Sequence, residues 1–216
     1  MKKFPFFVLA LLMMLLADFY LIFSYAPEEA GQGIVQKIFY FHVSSAFAMY
    51  AGFLMAGLFS LLYLWKKKPG FNSLSESAAS IGLLFCTMVL ASGPVWAKPI
   101  WGTYWTWTPR LITTLILWLI FAGVFFLRKF FEGEEKGKTF ASVLTLLGVL
   151  DIPLVYYAVK LWRDIHPAVL GGENNMPFEM KFTLIFTNVT VLFLFGVLFF
   201  LRTKVGRLEE SAQLSA

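Results

Sequence analysis

FTLIFTNVTVLFLFGVLFFL, residues Phe182–Leu201, lies between Lys181 and Arg202 and contains no charged side chain. At ~1.5 Å per residue these positions make a helix of about 30 Å, the thickness of a bilayer's hydrocarbon core. No water reaches the backbone there, so a helix is the conformation that satisfies every N–H and C=O within one segment. Five other stretches read the same way: Phe4–Tyr25, Ile38–Trp65, Ala78–Trp96, Leu111–Leu127 and Phe140–Trp162. Charged residues make up 14% of the chain, against about 25% in a soluble domain. The expected class is all-α: a polytopic membrane protein with six transmembrane helices forming a single transmembrane domain, 1–216.

Lys2 and Lys3 before an apolar core imitate a signal peptide. The core, however, continues past Asp18 to Tyr25 with no small-residue cleavage site after it, so an uncleaved first helix is expected. Lysine and arginine set the orientation. Lys2, Lys3, Lys66, Lys67, Lys68, Arg128, Lys129, Lys136, Lys138, Arg202, Lys204 and Arg207 fall on one side, twelve of the eighteen basic residues. Lys37, Lys98, Arg110, Arg163 and Lys181 fall near the other, with Lys160 just inside the fifth span. Both termini are therefore expected in the cytoplasm, with outer loops at about 26–37, 97–110 and 163–181. The net charge of +5 belongs to helix-orienting loop residues and is no argument for nucleic acid. The cytoplasmic loops are too short for a nucleotide-binding domain.

The chain has two histidines, and this topology brings both to the outer side. His42 lies about 7–8 Å into the second helix at ~1.5 Å per residue, and His166 follows the end of the fifth. A single histidine near a helix end is ordinarily an interfacial polar residue. Two on one side, and no others, fit the axial positions of a heme iron. Zinc fits less well, because it takes three or four protein ligands. The one cysteine, Cys86, lies inside an apolar run, and Glu28, Glu29, Asp164 and Glu173 are loosely placed. A Cys-x-x-Cys-His attachment motif is absent, so any heme is held non-covalently.

Between the histidines lies a tryptophan-rich outer-face segment at about 94–111, with Trp96, Trp101, Tyr104, Trp105 and Trp107. Tryptophan gathers at any membrane boundary. Beside two histidines, though, the rings suit a porphyrin plane, and Arg110 suits a propionate by charge-assisted hydrogen bonds. Pro94, Pro99, Gly102 and Pro109 interrupt the run, which predicts a loop or short interfacial helix. Helix two carries Ser44, Ala48, Gly52, Ala56 and Ser60 at four-residue intervals, a small-residue stripe for close helix approach. Near the outer end it faces away from His42, which leaves that histidine to a different neighbour or a pocket. Asp18 and Asp151 lie within spans, where an ionisable group is costly. Helix specificity and function are both open for them, and Pro153 is expected to bend the fifth helix beside Asp151.

These segments carry a resemblance. WGTYWTWTPRL (Trp101–Leu111) resembles the tryptophan-rich WWD motif of heme-handling proteins, and SGPVWAKP (Ser92–Pro99) resembles the approach to it. QKIFYFHVS (Gln36–Ser44) resembles the first histidine region, while DIPLVYY (Asp151–Tyr157) and LWRDIHP (Leu161–Pro167) resemble the second. The similarity runs over roughly residues 30 to 200, in the order of the cytochrome c maturation protein C family, also called heme exporter protein C. The resemblance implies a six-helix bacterial inner-membrane protein of System I cytochrome c biogenesis. Such a protein holds heme b transiently at the periplasmic face, with His42 and His166 as axial ligands. Trp101, Gly102, Trp105 and Trp107 would form the platform, and Arg110 would contact a propionate. The implied partners are the heme chaperone protein E, ABC-type subunits A and B and the small membrane protein D. One departure is Thr108, where the family motif usually has an acidic residue.

The reading is of a heme-transfer component and not an enzyme, since no activated nucleophile or acid–base pair adjoins the site. A System II-like cytochrome c synthetase shares the tryptophan motif, but such proteins are longer and carry further histidines. A b-type electron carrier would need a second heme or a quinone site. A permease or assembly subunit would use the tryptophans as an anchor and hold no heme.

Overall fold

The computed structural model describes residues 4–132, 134–162, 166 and 176–213. Arg163, Asp164 and Glu173, with Lys2 and Lys3, lie outside the described residues. The described residues form six long helices and no strand: α1 (Phe4–Tyr20), α2 (Ile38–Lys66), α3 (Pro69–Trp101), α4 (Pro109–Phe130), α5 (Glu135–Trp162) and α6 (Phe178–Gln213). Each, the first taken through to Tyr25, is long and apolar enough to cross a membrane, as the hydropathy pattern predicts. Large apolar side chains such as Phe6, Leu58, Phe126, Leu150 and Ile185 are exposed, which suits helices whose surroundings are lipid rather than water.

The helix ends differ from the apolar runs. α3 begins at Pro69, nine residues before the apolar stretch, because a proline at the first helical position loses no hydrogen bond. Its polar first turns are then buried: Asn72, Ser75 and Ser77 are nearly inaccessible. At its other end α3 continues through Pro94 and Pro99 to Trp101, so half of the expected tryptophan loop is helix. Each proline removes one backbone donor but not the helix. Gly102, with φ of 74°, ends it, its N–H donating to the Lys98 carbonyl at 3.0 Å. This is the left-handed position where helices commonly stop and glycine is favoured.

The chain divides into two compact units. Residues 1–48, 88–106 and 168–198 form one, with a core of Ile22, Ala26, Phe39, Tyr40, Val43 and Trp96. The end of α1 widens into a π turn over Leu21–Tyr25. The buried Lys37 donates from Nζ to the carbonyls of Ala26 and Pro27. Asp18 is no lone charge in this unit, because the Thr187 hydroxyl of α6 donates to its Oδ1 at 2.7 Å.

Residues 49–87, 107–167 and 199–216 form the other unit. Here the small-residue stripe is packing, as expected: a Cβ built on Gly52 would lie 2.6 Å from the Gly82 Cα of α3. The hydroxyls of Ser60 and Ser75 meet at 2.7 Å, and Ser75 donates to the Ala56 carbonyl at 3.1 Å. α4 and α5 pack antiparallel, with Gly148 leaving room for the ring of Phe121. Phe121 stacks on Phe53 at 3.6 Å between centroids. Polar contacts join the far ends of the helices. Arg128 donates to Asn72 at 2.7 Å, Glu76 approaches both Arg128 and Arg202, and Tyr63 donates to Glu135.

Candidate functional site

His42 sits in the second turn of α2, in the first unit, and is buried. Its Nδ1 lies 3.0 Å from the Ser92 hydroxyl of α3, and its ring meets the Trp96 ring edge-on at 5.7 Å. A Cβ on Gly93 would lie 3.3 Å from His42 Cε1, so a side chain there would crowd the imidazole. Trp96 is core rather than platform: it is buried, and its indole N–H donates to Gln32 Oε1 at 2.9 Å. The neighbour of His42 is thus α3, the helix that the stripe meets, and not a different one.

The Ser92 hydroxyl also lies 2.7 Å from the Met88 carbonyl one turn earlier. A hydroxyl has one proton, and the carbonyl can only accept it. Ser92 therefore accepts from His42 Nδ1–H, which assigns the lone pair of the neutral ring to Nε2. That hydrogen-bond pattern is typical of metal-binding imidazoles. The site fits a heme iron in this respect, and nothing in the sequence pairs these positions, since Ser92 and Gly93 lie 50 and 51 residues from His42.

Arg110, Trp107 and His166 belong to the second unit. Thr108 is the N-cap of α4 and Pro109 its first residue, which puts a cation at a helix start, where the macrodipole disfavours it. The later part of α5 supplies the compensating oxygens. Arg110 donates from Nε to the Val155 carbonyl at 3.3 Å and from Nη2 to the Tyr156 carbonyl at 3.1 Å. Its Nη1 donates to His166 Nδ1 at 3.1 Å. The structure thus brings together two of the residues singled out by the sequence. Thr108 makes no side-chain cap, and its buried Oγ1 has no hydrogen-bond partner among the described residues.

Trp101 and Trp105, in the first unit, are half-buried, while Trp107 is 75% exposed. Lys98 donates to the Gly102 carbonyl at 2.9 Å and lies over the exposed Tyr104 ring. Among the described residues no three His, Cys, Asp or Glu side chains gather as a metal site, so a donor set built from carboxylates or thiolates is not present there.

The family model for heme exporter protein C matches residues 1–215. The chain belongs to the heme exporter protein C family. A heme exporter protein C of Escherichia coli K12 is 30% identical over 185 residues, 84% of this chain and 74% of that one. A heme exporter protein C of Bradyrhizobium diazoefficiens is 33% identical over 153 residues, 69% of this chain and 58% of that one. A ccmC-like mitochondrial protein of cytochrome c biosynthesis from Marchantia polymorpha is 32% identical over 189 residues, 86% and 79% of the two chains.

Proposed function

We propose that this protein holds heme b in transit and passes it on during cytochrome c biogenesis, without itself catalysing covalent attachment. His42 and His166 take the two axial positions of the iron. Trp101, Trp105 and Trp107 offer ring faces to the porphyrin, Gly102 lets the chain turn between them, and Arg110 receives a propionate. The basic residues orient both termini to the cytoplasm, so the tryptophan-rich segment at about 94–111 faces the periplasm across a bacterial inner membrane. The recipient is the periplasmic heme chaperone, protein E, and the ABC-type subunits A and B with the small membrane protein D complete the assembly. Histidine is the right donor for such a relay, because coordination retains the iron yet remains reversible, and Cys86 is buried with no second cysteine to fix the cargo.

The observation that carries this reading is the hydrogen bond of His42 to Ser92, which puts the proton of the neutral imidazole on Nδ1 in a member of a heme exporter family. The test is an absorption spectrum of the purified protein beside His42→Ala and His166→Ala. The wild type is expected to give a bis-imidazole heme spectrum that each variant loses or alters. A heme-free wild type that takes up no added hemin, or variants spectrally identical to it, would refute the proposal. Thr108→Asp is expected to keep heme bound, and comparison of chaperone loading reports whether the missing carboxylate matters for transfer.

A further inference from the structure

We infer that Gln32 is a positioning residue for His42: by anchoring the indole of Trp96 it ties the first outer loop to the imidazole and fixes the tilt of that ring. The inference rests on the reading of His42 as an axial ligand. Gln32, His42, Ser92, Gly93 and Trp96 all lie in the first unit. The Ser92 hydroxyl, 3.0 Å from Nδ1, fixes one atom of the imidazole, and a single hydrogen bond leaves the ring plane free to swing about it. Two neighbours limit that swing. Gly93 approaches so closely that a Cβ there would lie 3.3 Å from Cε1. Trp96 meets the ring edge-on, with centroids 5.7 Å apart and planes inclined at 61°. Surroundings of this kind orient a metal-ligating imidazole.

The indole is held in turn. Trp96 is buried in the core with Ile22, Phe39, Tyr40 and Val43, and its ring meets Phe39 edge-on at 5.9 Å. Apolar burial has no direction, so it leaves the rotation of the indole loosely set. The hydrogen bond from Nε1 to Gln32 Oε1, at 2.9 Å, sets it. An indole nitrogen only donates, so the anchor must be an acceptor, and the amide carbonyl is one. The loop presents that amide from a closed turn. The Glu29 carbonyl accepts from the N–H of Gln32 at 3.1 Å and of Gly33 at 2.8 Å. Gly33 holds φ at 56°, a conformation glycine adopts without a Cβ clash. Lys37 fastens the same loop to the carbonyls of Ala26 and Pro27. Turn, amide, indole and imidazole thus form one chain of contacts from the loop to the ligand.

The test uses the full-length protein in detergent. Heme-free and labelled with ¹⁵N-histidine, it shows two imidazoles, one for each histidine, and His42→Ala assigns them. Gln32→Met keeps the length of the side chain but not the acceptor; it should shift the ring signals of His42 and leave those of His166. Gln32→Glu keeps an acceptor and should return the His42 signals toward the wild type. Hemin affinity should fall about tenfold in Gln32→Met, the lower end of what lost outer-shell support costs a metal ligand. Gln32→Met also strands a buried indole N–H, so the thermal midpoint falls. Adding Trp96→Phe removes that donor, and losing both partners costs less than losing one. The midpoint should then recover in part while hemin affinity stays low. Affinity that recovers together with the midpoint would make Gln32 a structural residue only and overturn the inference. His42 signals indifferent to Gln32→Met, beside a normal wild-type hemin spectrum, remove the inference alone. Absence of any imidazole-ligated hemin spectrum in the wild type removes the axial-ligand reading and this inference with it.

Discussion

α2 and α3 meet in two places, and a glycine opens the way in each. In the second unit Gly52 faces Gly82 so closely that a Cβ would lie 2.6 Å from the opposing Cα and 2.8 Å from its nitrogen. In the first unit Gly93 faces His42, and a Cβ would lie 3.3 Å from a ring carbon. The one gap is filled by main chain and the other by an imidazole. Packing in lipid rewards the first arrangement, because small residues let helices gain dispersion contact where no hydrophobic effect drives them together. The second makes room for chemistry. Small residues in a membrane helix therefore acquire a meaning only from what stands opposite them.

The sharpest way to break this contrast is Gly52→Val, which forces new heavy atoms into fixed backbone. Overpacking of that kind typically costs about 1–3 kcal/mol, and here the obstacle cannot rotate away. Loss of monodisperse protein, or a strongly lowered thermal midpoint, is expected. A variant melting like the wild type would show that the two backbones are not in contact. Gly93→Ala should do something different: the fold survives, but the ring must yield by a few tenths of an ångström, and hemin affinity falls about tenfold, the lower end of what disturbing the hydrogen-bond support of a metal-ligating imidazole costs. Titration with hemin reads this, and an unchanged affinity would put the imidazole elsewhere. The smallest effect belongs to Ser60→Ala, which removes the hydroxyl pair with Ser75. Hydrogen bonds between membrane helices average about 0.6 kcal/mol, so the thermal midpoint should drop slightly and hemin binding should not respond.

Six spans were legible because an uncharged run of membrane length has few other physical explanations. The ends were not. The turns of α3 from Pro69 onward are too polar for a hydropathy reading, and they are helical because Asn72, Ser75 and Glu76 find partners on Arg128, Ser60 and Arg202, none of them near in sequence. Pro94 and Pro99 read as interruptions, yet a proline removes one donor and not the geometry of a helix already stabilised on both sides of it. The two histidines and Arg110 stood out by scarcity and by their place in a motif. The bond between Arg110 and His166 did not, since it joins positions fifty-six residues apart. Nor did the support of His42, whose serine resembles any other helix hydroxyl until the opposing ring is seen.

Lys37 carries one more consequence. Its ammonium is buried against the two carbonyls that follow the first helix and its π turn, so a water-borne amine reagent should find every nearby lysine before this one. Slow acylation at Lys37, followed by mass spectrometry, would therefore time how often the turn between the first two helices comes apart.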